Sequence, residues 1–574
     1  MTVTFAIPLS RYALPAVIAL SAVAPTLALP SAPQATTQGA AAKYATRPQL
    51  IYWDTIDSQG NLTGGRVMLD VPDRDAVYPR IPAAVETFAQ QLLPPDPNKR
   101  LDMVFVGDGY QTAQLGAYTS QVSNIVATFF AIEPYLTYRE YFSVHRVDVV
   151  SADPGVDNDP VQGITRNTAL NMGYWCSGIE RLLCVDVALA YSYAANAPQA
   201  DLVAAIANST KYGGAGYAAN DLATGAGNNS SAISIMQHEF GHALGNLADE
   251  YDYGGPATYV GGEVSAVNAS IYPSAQMAAL QTKWHRWLGV NLPAFDGLVS
   301  TYQGAYYSLN GIYRPTNNSM MRSLGRPFNL PSAESLIAEI YRFTDPIDSH
   351  SPTTTTYNGT ETLFVVPMTK VGSEPLQVQW LLNGQPIAGA TGNSLNLATL
   401  GLSACTSLIA ARVVDPTTMV RDEGLRQGLL TQTVNWLVVA SQNPISTYCI
   451  AAPNSVGPGA TISAAGSTSI ALNNLQLTVT GLPPSSSGLY FHGSSAGQTP
   501  FGNGWRCVGG TLLRLPPMTA NLFGDATLAF TTTSAPVGIV VPGATRRFQY
   551  WYRNPAAGGA GFNLSNALSV QFCP

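Results

Sequence analysis

The chain contains the run His238-Glu239-Phe240-Gly241-His242, in which two imidazoles stand four residues apart with a carboxylate beside the first. Residues four apart lie on one face of an α-helix, so His238 and His242 can direct ring nitrogens to a single metal ion. Glu239 can then accept a proton from a water molecule that a zinc ion activates. The spacing is typical of the active-site helix of zinc peptidases, and it predicts Glu239 as the general base.

The residues around this run predict where the helix begins and ends. Asn228 to Ser231 offer side chains that cap a helix N-terminus. Gly245 predicts the helix end, because glycine readily takes the left-handed conformation that closes a helix. The chain then turns back, and Asp249 is expected to reach the two histidines as the third metal ligand, with Glu250 as the alternative.

Five segments, in this order along the chain, resemble the IgA peptidase M64 family of secreted bacterial zinc metallopeptidases. They are residues 101–110 (LDMVFVGDGY), 141–150 (YFSVHRVDVV), 212–217 (YGGAGY), 238–251 (HEFGHALGNLADEY) and 313–322 (YRPTNNSMMR). The resemblance covers about residues 45–345 and implies a metzincin-like α/β peptidase domain with one catalytic Zn²⁺ and a protein or peptide substrate. The immune-inhibitor-A type of metallopeptidase is the alternative family, and it implies the same chemistry.

Two segments outside the zinc helix are also expected to serve the site. Met320 and Met321 fall where the resemblance has its Met-turn, and they are expected to form an apolar base beneath the zinc. The segment before the helix is expected to be an edge strand that pairs with substrate main chain, its glycines allowing close approach. That segment comprises Tyr212, Gly213, Gly214, Ala215 and Gly216.

A loop rich in oxygen ligands suggests a second metal. Asp153, Asp157, Asn158 and Asp159 could together bind Ca²⁺. Their spacing matches no EF-hand, so a solvated turn is the favoured interpretation.

The length of 574 residues predicts three or four domains. Alternating strands and helices predict an α/β layer around the zinc helix, whereas short strands separated by Gly, Pro and Ser turns predict β-sandwiches beyond it. The expected order is a small N-terminal β-rich domain (44–93), the zinc metallopeptidase domain (98–345), an immunoglobulin-like β-sandwich (346–445) and a C-terminal β-module of a kind recurrent in secreted bacterial proteins (454–574).

The N-terminus and the cysteines predict export. Residues 1–28 have the charge, apolar run and small residues of a signal peptide, and no later segment reads as a membrane span. The six cysteines favour an oxidising, extracellular compartment. Fifteen connectivities are open, and nearest-neighbour pairing respects the domain limits. It joins Cys176 with Cys184, Cys405 with Cys449, and Cys507 with Cys573.

Charge and composition limit the partners. The formal net charge of −7 argues against a nucleic-acid partner. The His238–His242 motif and the predicted export make a secreted endopeptidase the leading hypothesis. The alternative is a catalytically silent, adhesin-like protein that holds a surface protein or glycan through its C-terminal β-modules. The intact Glu239 argues against that alternative, because a purely structural zinc site needs no base.

Overall fold

The computed structural model describes residues 44–57, 62–88, 99–402, 405–439, 444–531 and 540–573. The predicted signal peptide, residues 1–28, lies outside these ranges. From Thr46 onward the chain forms one compact unit of several β-rich sheets with few helices. Among the helices of the described ranges, none has the length and apolar character that crossing a membrane requires.

An eight-stranded sheet supports the segment that carries His238 and His242. Its strands are β1 (Thr46–Ile56), β2 (Leu62–Pro72), β3 (Ala84–Phe88), β4 (Leu101–Asp108), β5 (Phe142–Asp148), β6 (Leu202–Ala207), β7 (Gly214–Tyr217) and β8 (Leu222–Ala226). They lie in the order β2-β1-β7-β8-β6-β4-β5-β3. The inner strands β5, β4, β6 and β8 run parallel. The remaining pairs are antiparallel.

The N-terminal strands belong to this same sheet, so the expectation of a separate β-rich domain over residues 44–93 is wrong. β1 and β2 extend the sheet beyond β7, and β3 pairs with β5 at the opposite edge. An alternating pattern of apolar residues predicts a strand but does not say which sheet the strand joins. Which strands β1, β2 and β3 pair with is therefore decided only by the tertiary structure.

The helices are α1 (Leu115–Phe129), α2 (Val187–Ala194), α3 (Ala232–Ala243), α4 (Ser274–Leu280), α5 (Leu330–Phe343) and α6 (Glu423–Gly428). Helices α1, α2, α3 and α5 share cores with the sheet, whereas α4 belongs to a separate small core and α6 lies beside the later strand Thr431–Val439. On β4, Met103 and Phe105 pack in one core with α1, α3 and α5. Val104 and Val106, which point the other way, pack in a second core with α2. The sheet thus forms the middle layer between two sets of side chains.

The chain between α4 and α5 forms two small antiparallel hairpins. Their strands are β9 (Asn291–Leu292), β10 (Gly297–Leu298), β11 (Tyr302–Ala305) and β12 (Ser308–Arg314).

The next region consists of two sheets that share a core with one face of the eight-stranded sheet and its helices. Its strands are β13 (Ile347–His350), β14 (Thr362–Pro367), β15 (Gln377–Leu382), β16 (Gln385–Pro386), β17 (Ser394–Asn396), β18 (Thr406–Val414) and β19 (Thr431–Val439). The sheet orders are β13-β14-β17 and β16-β15-β18-β19. Leu382 pairs with Gln385 across Asn383-Gly384, a dipeptide that is typical of tight hairpin turns.

The C-terminal region is a second β-rich body with its own core. Its strands are β20 (Ile445–Tyr448), β21 (Thr461–Ala465), β22 (Leu475–Thr480), β23 (Ser487–Gly493), β24 (Ser495–Phe501), β25 (Gly504–Gly509), β26 (Leu513–Thr519), β27 (Ala526–Phe530), β28 (Thr545–Arg553) and β29 (Phe562–Gln571). They form sheets in the orders β20-β29-β28-β23-β26, β21-β22-β27 and β24-β25.

The disulfides correct part of the predicted pairing. Cys176 joins Cys184 as predicted. The other two bridges are Cys405 to Cys573 and Cys449 to Cys507. The nearest-neighbour prediction failed because β20 pairs with β29, which places Cys449 in the C-terminal body instead of the region before it. The three bridges are typical of an oxidising compartment.

Candidate metal centre

Helix α3 carries both histidines, but its end differs from the prediction. The left-handed residue is Asn246, with φ of 48°, and not Gly245. A Cβ added at Gly245 would lie 2.8 Å from Cδ2 of Leu336 on α5. Glycine is therefore needed at this position for close packing between helices, and the turn itself is made by asparagine.

Four buried side chains meet at one point beside this helix. They are Asp54, His238, His242 and Asp249. The two Nε2 atoms of His238 and His242 are 3.1 Å apart. Oδ1 of Asp249 is 3.2 Å from Nε2 of His238 and 3.3 Å from Nε2 of His242. Oδ2 of Asp54 is 2.9 Å from Nε2 of His238.

The hydrogen bonds made by the Nδ1 atoms of His238 and His242 leave both Nε2 atoms able to bind a cation. Nδ1 of His238 donates to the carbonyl of Met320 at 2.9 Å, and Nδ1 of His242 donates to the carbonyl of Leu247 at 2.7 Å. Because a carbonyl can only accept, each Nδ1 carries the hydrogen and each Nε2 is left with its lone pair toward the cluster. Ligand atoms around a tetrahedral zinc lie roughly 3.3–3.6 Å from one another, close to these separations. The residues therefore fit a metal ion.

The charges within the cluster agree with a site that attracts a cation. Burial lowers the pKa of His238, but the carboxylates of Asp54 and Asp249 outweigh burial and raise that pKa well above its ordinary value. Burial by itself would raise the pKa of Asp249, yet the imidazoles of His242 and His238 hold that pKa below its usual range. A proton and a metal ion would thus compete for the same position.

The two candidate third ligands lie in different environments. Asp249 reaches the cluster, where the hydroxyl of Tyr307 donates to its Oδ2. Glu250 points away and accepts hydrogen bonds from Ser319 at 2.7 Å, Asn329 at 2.8 Å and Asn268 at 2.9 Å. The carboxyl of Glu250 is thus already satisfied by neutral donors at a distance from the histidines.

The side chain of Glu239 on α3 is fully buried and faces β7. Neither of its carboxylate oxygens has a hydrogen-bond partner among the described residues. A Cβ added at Gly214 would lie 2.8 Å from Oε1, and one added at Gly216 would lie 3.1 Å from Oε2. Burial, followed by the charge of Asp54, raises the pKa of Glu239 well above its usual range. An unpaired carboxyl of this kind is suited to exchanging a proton.

The predicted Met-turn pair lies directly under the helix. Met320 supplies the carbonyl that orients His238. The sulfur of Met321 lies so close to Gly241 that a Cβ there would approach it to 2.6 Å. Both methionines are buried.

The predicted substrate edge strand is not at an edge. β7 pairs with β8 on one side, while Tyr52 of β1 pairs with Gly216 and Leu182 bridges to Gly214 on the other. The expected edge position of residues Tyr212 to Gly216 is therefore wrong for this structure, and their pairing with substrate stays a prediction. Their glycines instead let α3 pack directly on the strand. The hydroxyl of Tyr212 is buried and has no hydrogen-bond partner in the described part of the chain.

The predicted calcium loop uses its acids for its own backbone. Asp153 accepts from the amide of Asn167, and Asp157 accepts from the amide of Arg166. Within the described ranges, the metal-ligating cluster that was found includes none of the loop acids. The solvated-turn interpretation accounts for these hydrogen bonds.

Comparison with known proteins identifies the segment that carries the histidines. Residues 93–295 match the family model described as IgA Peptidase M64. This segment is an IgA peptidase M64 domain. The M64 domain includes His238, Glu239, His242 and Asp249, and the family supports a peptidase, a hydrolase that acts on protein. The match is shorter than the resemblance seen over residues 45–345.

Two further comparisons add little to the M64 match. No curated protein matches the chain. Among solved structures, the chain is similar to one described as the tetra-tandem repeat in the extending region of a large adhesion protein, at 12% identity and a TM-score of 0.14. That alignment covers 39% of this chain and 48% of the other, about half of its length.

Asp54 is the site residue that the sequence interpretation missed, and it lies outside the M64 match. A signal was present, because an aspartate in the middle of an otherwise apolar strand is unusual. The stretch from Leu50 to Ile56 has this form. What the local pattern could not supply was the partner, since Asp54 and His238 are far apart in the chain.

A cavity of about 480 Å³ is lined by residues of the β1–β2 hairpin, including Trp53, Gly64 and Arg66, together with Tyr306 and Tyr307. Arg66 lies over the ring of Tyr306, so the two groups meet in one wall. Tyr307 connects this cavity to the cluster, because its hydroxyl donates to Asp249.

Proposed function

We propose that this protein is a secreted zinc endopeptidase whose metal is held by His238, His242 and Asp249. The observation that carries the proposal is the pair of Nδ1 hydrogen bonds to the carbonyls of Met320 and Leu247. These bonds fix both imidazoles in the form that binds a metal through Nε2. Nitrogen and carboxylate donors in a compact group favour Zn²⁺ over Ca²⁺ or Mg²⁺, which prefer oxygen ligands alone.

Glu239 is the general base in this proposal. A zinc ion at this position would lower the pKa of a water molecule and polarise a peptide carbonyl. Glu239 takes the proton from that water on a carboxylate oxygen and passes it to the leaving amine. Its position supports this role, because Glu239 directly follows the ligand His238 on α3 and its buried carboxyl lies within electrostatic reach of Asp54, His238 and Asp249.

The surrounding residues position the metal ligands. Tyr307 orients Asp249 through its hydroxyl. Tyr52 lies stacked on the ring of His242 and limits its rotation. Met320 and Met321 form the base beneath the helix, in the manner of a metzincin Met-turn. A metzincin-like arrangement of the peptidase region is part of this proposal.

The substrate is a protein or peptide, and the cavity beside the cluster is the proposed entrance for it. Secretion after removal of residues 1–28 agrees with the three disulfides. The region over 346–445 is proposed to be immunoglobulin-like, and it and the C-terminal β-module could hold the enzyme on a surface protein or glycan.

The test uses the purified mature protein and a mixture of denatured proteins. Zinc per chain is measured in the same sample that is assayed for cleavage with and without a chelator. About one zinc per chain and cleavage that the chelator abolishes are expected. Stoichiometric zinc without cleavage of any substrate would instead support the catalytically silent binding protein.

A further inference from the structure

The cluster has one protein ligand more than a catalytic zinc site uses. Catalytic sites have three protein ligands and keep a fourth position open for water or substrate. Here a fourth donor is already present. Oδ2 of Asp54 is 2.9 Å from Nε2 of His238, which is nearer than Oδ1 of Asp249 at 3.2 Å. Asp54 is fully buried with the other three.

Asp54 is held in this position from the opposite side. The hydroxyl of Tyr251 donates to its Oδ1 at 3.0 Å, which leaves Oδ2 directed at the cluster. Oδ2 faces Nε2 of His238 at 2.9 Å in a fully buried position, so a cation held between the two atoms would satisfy both. Two positions earlier in β1, Tyr52 stacks on His242. Two residues on the same face of β1 therefore contact the site.

The strand that carries Asp54 is joined to the rest of the sheet by few main-chain pairs. β1 and β2 pair along their whole length, from Thr46 opposite Pro72 to Ile56 opposite Leu62. Against β7, in contrast, β1 pairs only at Tyr52 and Gly216. The hairpin of β1 and β2, residues 46–72, is thus a unit that could move away from the M64 domain without breaking the ladder inside it.

We propose that Asp54 is a ligand of the zinc in the resting protein, and that the β1–β2 hairpin inhibits the enzyme by occupying its open position. Hydrolysis requires Asp54 to leave, which frees that position for water and substrate. This inference rests on the proposed function. A permanently closed structural site does not account for Glu239, whose buried, unpaired carboxyl has no structural use and is costly to bury.

The test replaces zinc with cobalt in the full chain, because the visible spectrum of cobalt reports the number and type of its ligands without any activity assay. Acetohydroxamate is the probe for an open position. We compare the wild type with Asp54→Ala and Asp54→Asn, and use Asp70→Asn, an exposed aspartate of the same hairpin, as the control.

The Asp54 variants are expected to change the cobalt spectrum and to bind acetohydroxamate at least about tenfold more tightly than wild type, since an open state of a few per cent becomes the main state. Asp70→Asn should match wild type in both measurements. Identical spectra and affinities in wild type and Asp54→Ala would overturn the proposal. If Asp54→Ala does not fold, Tyr251→Phe provides the same comparison. This variant removes only the hydrogen bond to Oδ1 of Asp54, so the gain in acetohydroxamate affinity should be smaller.

Peptide cleavage by the same samples separates this inference from the proposed function. If cobalt responds as expected and no variant cleaves any protein, the ligand role of Asp54 stands and the peptidase proposal fails. If wild type cleaves in a chelator-sensitive way, but the cobalt spectrum and the acetohydroxamate affinity do not change when Asp54 is replaced, the peptidase proposal stands and the inhibitory role fails.

Discussion

The phenol ring of Tyr52 lies flat against the imidazole of His242, with ring centroids 4.2 Å apart and ring planes 7° apart. The same tyrosine pairs through its main chain with Gly216 of β7. The N-terminal strand, the glycine strand and the zinc helix therefore meet at one histidine. This contact explains why the site depends on residues that lie far apart in the sequence.

Gly216→Ala should destabilise the protein and disturb the site. The added Cβ would lie 2.8 Å from Cβ of His242 and 3.3 Å from the main-chain oxygen of Glu239, and neither atom can easily move. A loss of about 1–3 kcal/mol in the free energy of unfolding is expected, as for other overpacked cores. Urea unfolding measures it. Gly262→Ala is the control, because its Cβ would meet no atom within 4 Å. Equal stability of the two variants would contradict the close packing of α3 on β7.

The third ligand can be identified by comparing two neighbouring carboxyl groups. Asp249→Asn should lower zinc affinity by more than about tenfold, because it removes a charged donor from the cluster. Glu250→Gln should keep its zinc and lose stability instead, since its carboxyl holds Ser319, Asn268 and Asn329. Zinc per chain after dialysis against a weak chelator distinguishes the two. Loss of zinc from Glu250→Gln alone would reverse the assignment.

Glu239→Gln should keep zinc and lose turnover. The amide has nearly the shape of the carboxyl but cannot take a proton from water, so kcat should fall by about a hundred- to ten-thousand-fold. Cleavage rate and zinc content are measured on one preparation. Glu374→Gln changes an exposed glutamate in the same way and should leave both unchanged. A Glu239→Gln enzyme with the wild-type rate would rule out the general-base mechanism.

The peptidase region and the sheets that follow it should unfold together. Asp415 is fully buried and accepts hydrogen bonds from Tyr138 at 2.7 Å, Tyr341 at 2.8 Å and Lys370 at 2.6 Å. Asp415→Asn leaves the Lys370 charge unpaired and should cost about 3 kcal/mol or more. Thermal unfolding followed by circular dichroism tests this, with the exposed Asp345→Asn as the control. Unchanged stability would mean that the network does not couple the two regions.

Acid should destabilise the C-terminal body through His492. Burial, with the charge of Arg546, lowers the pKa of His492 from its ordinary value of 6.5 to about 4. Because the folded pKa is the lower one, the unfolded state binds the proton first as the pH falls. The contribution to stability is therefore complete above pH 6.5 and is lost as the pH falls to 4, by at most about 3 kcal/mol.

Urea unfolding between pH 7.5 and pH 4 measures this loss. His492→Gln should unfold with less dependence on pH than the wild type, whereas His350→Gln should not differ from it. The same pH dependence in all three proteins would show that His492 does not carry the effect.

Local patterns predicted the elements of the site well where chemistry and spacing coincide in one stretch. Helix α3, which carries His238 and His242, and the proximity of Asp249 to it follow from residues within a few positions of each other. The left-handed residue was predicted at Gly245 but lies at Asn246. A glycine can be required for a left-handed turn or for close packing, and the sequence alone does not say which. Only the neighbour Leu336, 91 positions away along the chain from Gly245, distinguishes the two uses.

The sequence by itself determined the chemistry: two histidines and a glutamate on one helix, with an acid after the turn, because helical geometry fixes such distances locally. Tertiary structure alone decided that Asp54 reaches the same point and that β7 lies inside the sheet. It also decided that Cys405 bonds to Cys573. Those three outcomes depend on which strands pair, and strand pairing joins residues whose separation along the chain carries no information about their separation in space.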